Sequence, residues 1–228
     1  MAKSDVEDWK KLIRLLSFLK KTIDDTRIIG ASCLNRLSTW IDAAHAVHED
    51  MKGQTGGATS YGIGILNSKS SKQKLNTRSS TESELVGVSE YIPHCIWYMN
   101  FLKCQGYDLE NNVVYQDNVS AIRMEKNGRN SCTGNSRHID IRHFFIKDRI
   151  EKGEVTVAYC PTELMLADFY TKPLQGSLFN FFRRIIMGYD DISSILPTSF
   201  SKLEEFVRKS DIEASNLEKR AKINRKVK

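Results

Sequence analysis

The stretch TRSSTESELVG, residues 77–87, places four hydroxyl-bearing residues in front of two glutamates and then turns apolar. Thr81 followed three residues later by Glu84 is typical of a capping box, in which a hydroxyl and a carboxylate satisfy free backbone N–H groups at a helix start. The apolar residues behind it recur at helical spacing: Leu85, Val88, Ile92, Ile96 and Met99. They predict a long helix from Thr81 to about Leu102, kinked at Pro93. Capping alone would explain Glu84, so a chemical role for it depends on the rest of the chain.

Composition predicts one globular domain with extensions. Of the 228 residues, 40% are hydrophobic and 27% charged, which is typical of globular proteins. No apolar run approaches the roughly 18 residues that a membrane span needs, so we expect no membrane partner. The N-terminal segment has acids on both sides of its apolar part and no small-residue cleavage site. We therefore expect an intracellular protein without a signal or transit peptide.

Cysteine spacing and the location of the charge argue against other classes. The five cysteines never form a C-x-x-C pair, which argues against both a disulfide framework and a zinc site. Most of the net charge of +6 comes from residues 217–228. The charge therefore predicts a solvated basic tail and says little about nucleic-acid binding by the domain itself.

Short β-branched and alternating segments predict a sheet. The strands that we predict are LNRLSTWID (34–42), SYGIGILN (60–67), SKQKLNT (71–77), NVVYQDN (112–118) and EVTVAYCP (154–161). HEDMKGQTGGAT (48–59) is predicted to be a loop, with Gly53, Gly56 and Gly57 as breakers. The first three strands would form an antiparallel meander, and the last two would be parallel because helices separate them. The fold class is α/β, with a five-stranded mixed sheet flanked by helices.

The remaining periodic segments predict helices. They are Asp8–Lys21, VSAIRMEK (119–126), HIDIRHFFIKDRIEKG (138–153, closed by Gly153), TELMLADFYTKPL (162–174, helical up to Pro173) and residues 177–187. NGRNSCTGNS (127–136) reads as a loop. The first helix carries an apolar stripe, which is more typical of a packing face than of a lipid-binding one.

Four carboxylates fall at the ends of these elements. They are Asp42, Glu84, Asp117 and Asp168. Each has a structural explanation as a cap or a strand-end turn. However, the first and fourth predicted strands would be neighbours at the point where the strand order reverses. Open sheets bind their ligands at that point. Clustered carboxylates need cations, and with no histidine or cysteine cluster beside them they favour Mg²⁺. Two such ions about 4 Å apart can clamp a phosphodiester, so the set predicts phosphoryl chemistry.

Five motifs carry a resemblance to a known family. They are WIDAAHAVHEDMKGQTGG, SSTESELVGVSE, VYQDNVSAI, RHIDIRHFFIKD and YCPTELMLADFYTKPL. They resemble the ribonuclease H domain of copia-type LTR retrotransposon polyproteins, over roughly residues 8–188. The resemblance implies a ribonuclease H-like fold at 31–188, preceded by a helical linker from the reverse transcriptase at 1–30. Residues 189–228 are expected to form a charged, helical or disordered basic tail.

The resemblance also implies an activity and its cofactors. It implies an endonuclease that hydrolyses the RNA strand of RNA/DNA hybrids during reverse transcription, with two Mg²⁺ ions, or Mn²⁺ in their place. Asp42 would bridge both ions, and Glu84 and Asp117 would join it on the ion that steadies the leaving 3′-oxygen. Asp168 would hold the ion that activates water. The expected partners are the hybrid and the reverse transcriptase domain of the same polyprotein, in a cytoplasmic retrotransposon particle or in the nucleus.

The sequence leaves open which residues contact the substrate and whether the chain is catalytically active. The segment between the last strand and Asp168 lacks the histidine that many cellular ribonucleases H have there. Arg137, His138, Arg142 and Asn118 are candidates for contact with the nucleic acid, with a packed helix start and surface charge as the equal alternative for the three basic residues. The alternative function is a catalytically inactive transposon remnant that binds nucleic acid or a protein partner. An integrase would need two aspartates and then a late glutamate, which is not the order found here.

Overall fold

The computed structural model describes residues 4–32, 34–127 and 137–196. Its helices are α1 (Val6–Lys21), α2 (Ser80–Cys104), α3 (Val119–Asn127), α4 (Arg137–Glu151), α5 (Asp168–Thr171) and α6 (Gly176–Met187). Its strands are β1 (Gly30–Ala31), β2 (Arg36–Ala44), β3 (Gln54–Ser60), β4 (Gly62–Ile63), β5 (Asn67–Lys72), β6 (Asn111–Gln116) and β7 (Thr156–Tyr159). Single 3₁₀ turns lie at Thr162–Leu164 and Ile192–Ser194. Within these ranges no helix is long and apolar enough to cross a membrane.

The main sheet has five strands in the order β5-β3-β2-β6-β7. β2 pairs antiparallel with β3, and β3 with β5, whereas β2 pairs parallel with β6, and β6 with β7. The predicted mixed sheet, with the first and fourth predicted strands as neighbours, is therefore confirmed. A separate two-stranded pair joins β1 to β4.

Both faces of this sheet are covered, because neighbouring residues of a strand point to opposite sides. Ile41 of β2 belongs to the core under α2, where it packs with Leu85 and Val88. Trp40, the residue before it, belongs to the core on the other face, with Phe182 of α6. The hydrophobic residues of β2 are buried for this reason, although the strand lacks strict alternation of apolar and polar residues.

The predicted loop at 48–59 is wrong in its second half, which is strand β3. Gly56 and Gly57 mark a close approach rather than a turn. A Cβ atom at residue 56 would lie 2.6 Å from Cγ2 of Thr171, and one at residue 57 would lie 2.4 Å from the ring of Tyr91. The two glycines therefore allow α5 to pack closely on one face of β3 and α2 on the other.

The third strand of the meander also differs from the prediction. β5 is NSKSSK, and its residues alternate between partly buried and exposed without a single fully buried side chain. The prediction placed a strand at SYGIGILN because its apolar residues alternate. This segment instead contains the end of β3, the short β4 and two glycines at positive φ, Gly62 and Gly64. SKQKLNT overlaps β5 in its first two residues alone. An edge strand that buries few side chains lacks the alternation of apolar and polar residues from which strands are predicted.

The C-terminal part is more broken than predicted. TELMLADFYTKPL forms a 3₁₀ turn and the four-residue α5 rather than one helix, because Met165, Leu166 and Ala167 between them are fully buried in the core. α4 ends before Gly153, which has a φ of +68° as a helix-ending glycine should. Beyond the expected domain limit at residue 188, Ile195 is still fully buried. The predicted loop at 127–136 lies outside the described residues from residue 128 onward, and the predicted tail at 189–228 lies outside them from residue 197 onward.

Helix α1 forms as predicted, but none of its own residues is buried. Asp5 caps it through a capping box with Asp8. Its large apolar side chains, all between 43% and 69% exposed, are Val6, Trp9, Leu12, Ile13, Leu15, Leu16, Phe18 and Leu19. Among the contacts near this end of the chain, Phe18 meets Phe179 of α6 edge to face, and the Ile28 N–H donates to the Met187 carbonyl. The helix is therefore attached at its C-terminal end.

Replacing Gly57 by alanine tests the close approach of α2. The ring of Tyr91 is fully buried and has no room to move away from an added Cβ atom. We expect Gly57→Ala to lower the free energy of unfolding by about 1–3 kcal/mol, measured by urea denaturation. Gly30→Ala is the matched control, because its Cβ would have its nearest neighbour at an ordinary 3.5 Å. Equal losses in the two variants would contradict the close-approach explanation.

Candidate metal centre

The start of α2 shows which glutamate caps the helix. Ser79 is the N-cap residue, and its Oγ accepts the Glu82 N–H at 3.2 Å. The carboxylate of Glu82 reaches back to accept the Arg78 N–H at 2.7 Å. The capping interaction predicted for Thr81 and Glu84 is therefore wrong by two residues, and Glu84 has no capping role.

Glu84 instead points into the protein. Its side chain is buried, and within the described part of the chain its Oε2 atom has no hydrogen-bond partner. α2 can approach the sheet here because Gly87 follows one turn later; a Cβ atom there would already lie 3.3 Å from Cβ of Ala43. That approach places Glu84 beside Asp42 of β2.

Asp42, Glu84 and Asp117, here called the acidic trio, come together at one end of the sheet. Each offers one carboxylate oxygen, and these three atoms all lie within 4.8 Å of one another. Asp117 directly follows β6, whose pairing with β2 ends at Trp40 and Tyr115. β2 does not end at Asp42 as predicted, because its pairing with β3 continues to Ala44. Asp42 therefore lies just past the end of the pairing of β2 with β6, where β2 is still paired with β3.

The fourth predicted carboxylate is close by but differently engaged. Asp168 is buried at the start of α5, and its Oδ1 accepts a hydrogen bond from Nζ of Lys172 at 2.7 Å. The same Nζ lies 3.9 Å from Oδ2 of Asp42. Asp168 is not one of the residues whose oxygens lie within 4.8 Å in the trio. Lys172 is thus the link between Asp168 and Asp42.

Two threonines orient the trio. The hydroxyl of Thr171 donates to Oδ2 of Asp42, and that of Thr162 donates to Oδ2 of Asp117 at 3.1 Å. Both threonines belong to the segment between β7 and α6, which therefore supports two carboxylates as well as supplying Asp168. Sequence analysis missed them, since a threonine in a loop or a short helix has no periodic signal.

Burial and mutual repulsion raise the proton affinity of the cluster. The pKa of Glu84 lies well above its usual range, first because of burial and then because of the charges of Asp42 and Asp117. Burial, followed by the charge of Asp42, also raises the pKa of Asp117. Burial raises the pKa of Asp168 to about 6, although its hydrogen bond from Lys172 opposes the shift. Crowded carboxylates of this kind are stabilised by a bound cation.

Glu125 is a fifth acid that the sequence analysis did not select. It is completely buried on α3, and among the described residues no group meets its carboxylate oxygens at full hydrogen-bond geometry, although the nearby Gln116 side chain opposes part of the rise in its pKa. Its charge adds to the pKa rise of Glu84. A signal existed, because Glu125 follows the buried Ala121 and Ile122 by four and three residues. That spacing puts it on the apolar face of the helix.

Comparison with known proteins finds relatives of the chain. No family model matches it. It is 31% identical over 182 residues to the retrovirus-related Pol polyprotein from transposon RE2 of Arabidopsis thaliana, covering 78% of this chain and 12% of the relative. It is 28% identical over 181 residues to that from transposon TNT 1-94 of Nicotiana tabacum, covering 79% and 13%. This chain is a relative of retrotransposon Pol polyproteins.

The Pol relatives are much longer than this chain, which spans about an eighth of their length. Among solved structures, the NurA nuclease from Sulfolobus solfataricus matches 78% of this chain and 65% of its own, at 8% identity and a TM-score of 0.33. That similarity is too low to support an argument about fold or activity. The resemblance to transposon polyproteins seen in the sequence motifs is confirmed by the Pol relatives.

The predicted substrate-contacting residues have structural partners where the structure describes them. Oδ1 of Asn118 accepts the Ala121 N–H at 3.1 Å, as a cap of α3 does. Arg142 donates to Oγ of Ser89 at 3.2 Å and lies 3.7 Å from the carboxylate of Glu90. Arg137 and His138 begin α4, and their side chains lie outside the described part of this Pol-related chain. Contact of these four with nucleic acid stays a prediction.

Replacing Glu125 by glutamine tests the cost of the buried carboxyl. Burial raises its pKa from 4.5 to about 8, so between these values the folded protein keeps a proton that the unfolded chain has released. The free energy of unfolding must therefore fall as the pH rises through this window. We expect the free energy of unfolding of wild type to fall between about pH 5.5 and 8.5 by about 3 kcal/mol more than that of Glu125→Gln. Urea denaturation at a series of pH values measures this difference.

Glu151→Gln is the matched control for this prediction. Glu151 ends α4, its side chain is 64% exposed, and it pairs with Lys147 at 3.3 Å. We expect this variant to follow the pH dependence of wild type. A wild-type pH dependence in Glu125→Gln would show that another group carries the proton.

Proposed function

We propose that this chain is a metal-dependent endonuclease domain that hydrolyses the RNA strand of RNA/DNA hybrids during reverse transcription by a retrotransposon polyprotein. The observation that carries the proposal is the acidic trio, whose three carboxylate oxygens lie within 4.8 Å of one another at an end of the mixed sheet. Kinship with Pol polyproteins supports the setting. We also propose that the five-stranded sheet is of the ribonuclease H-like type, which its strand order and directions support.

The residues present suit a hard divalent cation. Among the described residues, one buried oxygen of Glu84 has no hydrogen-bond partner, and the trio offers carboxylates alone, which is the donor set that Mg²⁺ and Mn²⁺ prefer. Asp42, Glu84 and Asp117 would hold the ion. When bound, the ion would lower the pKa of a coordinated water and neutralise charge on the phosphate.

The chain's own groups would prepare and complete the reaction. Thr171 and Thr162 hold the carboxylates of Asp42 and Asp117 in fixed orientations, so little reorganisation is needed when the phosphate binds. Attack of water on phosphorus would break the bond to the 3′-oxygen and leave 3′-hydroxyl and 5′-phosphate ends. Asp168, with a pKa of about 6, would exchange protons near neutral pH.

Substrate choice would rest on the shape of the hybrid and on 2′-hydroxyl contacts rather than on base sequence. We propose Asn118 for this role because it directly follows Asp117, and Arg137, His138 and Arg142 because they lie on α4, which packs against α2 and α3. The catalytic unit would begin near residue 31 and be joined through α1 to a reverse transcriptase domain. The exposed apolar face of α1 supports such an attachment.

The two glutamates of SSTESEL, Glu82 and Glu84, offer a matched pair of variants. We expect Glu84→Gln and Asp117→Asn to lower the cleavage rate of a labelled RNA/DNA hybrid at least about 100-fold, because each removes one charged ligand. Glu82→Gln should keep the wild-type rate within a small factor, since Glu82 acts at the helix cap. The assay uses Mg²⁺ or Mn²⁺, with double-stranded RNA and double-stranded DNA as uncut controls.

Two outcomes would contradict the proposed function. Equal activity of Glu84→Gln and Glu82→Gln would remove Glu84 from the site. Absence of cleavage by folded wild type, with hybrid binding retained, would make the chain a non-catalytic nucleic-acid-binding remnant of its transposon.

A further inference from the structure

Lys172 places a positive charge among the carboxylates. Its Nζ lies 2.7 Å from Oδ1 of Asp168 and 3.9 Å from Oδ2 of Asp42. The two aspartates are nearly inaccessible, with side chains 6% and 4% exposed, whereas that of Lys172 is 40% exposed. The ammonium group therefore closes the solvent side of a pair of buried carboxylates.

The backbone around Lys172 fixes the position of this residue beside the carboxylates. Lys172 directly follows α5, and its N–H donates to the Asp168 carbonyl at 2.9 Å. Its φ of −124° and ψ of 144° are the extended values that a following proline, here Pro173, favours. α5 itself is packed against Gly56, where a Cβ atom would come within 2.6 Å of Thr171. The chain therefore directs Lys172 toward the cluster.

A second divalent ion shared by Asp42 and Asp168 would need the same place. Divalent ions bind carboxylate oxygens at about 2.0–2.6 Å, and Nζ already lies between these two carboxylates. A dication there would meet a like charge at close range. Asp42 also belongs to the acidic trio, where Glu84 keeps a buried carboxylate oxygen without a hydrogen-bond partner among the described residues, so the trio still offers an ion a free ligand atom.

We propose that the ammonium group of Lys172 is a built-in second cation of this site, so that the folded protein takes up one divalent ion, at the acidic trio. This inference rests on the metal-binding part of the proposed function and not on the substrate. It replaces the two-ion arrangement that the family resemblance implied for Asp168. Lys172 then acts by neutralising charge beside the ion, and Asp168, while it is ionised, holds Lys172 in place.

Counting bound Mn²⁺ ions tests the inference without any nucleic acid. The full chain is titrated with Mn²⁺ by calorimetry, and free Mn²⁺ is followed by electron paramagnetic resonance. We expect one ion per chain for wild type and two for Lys172→Met, which keeps the aliphatic stem but removes the charge. Lys172→Arg keeps the charge and should bind one ion, and circular dichroism checks the folding of each variant.

Lys152→Met is the matched control. Lys152 forms the same kind of pair four residues along a helix, 2.9 Å from Asp148, with its side chain 53% exposed and no part in the trio. It should bind one ion, as wild type does. Two ions in wild type, or one in a folded Lys172→Met, would overturn the inference. No ion in any variant would overturn the proposed function as well, whereas one ion without hybrid cleavage would overturn the proposed function alone.

Discussion

The distance between the sheet and the segments on its two faces is the constraint on which the rest of this structure depends. Glycines at residues 56 and 57 allow approaches that a Cβ atom would block, and Gly87 allows one that a Cβ atom would make tight, at 3.3 Å from Cβ of Ala43. The contact at Gly56 brings α5 to Asp42, its cross-strand neighbour. The contacts at Gly57 and Gly87 bring α2, and with it Glu84, to the same point from the opposite face.

Close packing of these carboxylates costs stability but favours the binding of a cation. Carboxylates in water repel one another weakly, but here they lie in a partly buried setting where each raises the proton affinity of the next. Glu125 adds a fully buried carboxyl behind them. The folded chain stores an unfavourable charge arrangement that Lys172 relieves in part and a divalent ion would relieve further. Raised pKa values of this kind are common at functional sites.

The sequence predicted most of the helices and the strands β2, β6 and β7 because their apolar spacing is local and strong. β3 and β5 were missed, since β3 depends on glycines whose partners lie far along the chain and β5 is polar at every position. SSTESE contains two overlapping cap patterns, one from Ser79 and one from Thr81, and local rules cannot choose between them. Burial of Glu84 against the sheet decides in favour of Ser79. Lys172 was overlooked because its role requires knowing that α5 packs beside Asp42.

The polar character of β5 has a consequence for the behaviour of the whole molecule. β5 is the outer strand next to β3, so one side of its backbone is not covered by another strand of the sheet. Two of its six residues are lysines, Lys69 and Lys72. A second chain that tried to extend the sheet there would have to bring its own strand against these charges. The polarity that hid β5 from sequence analysis thus guards the sheet against edge-to-edge aggregation.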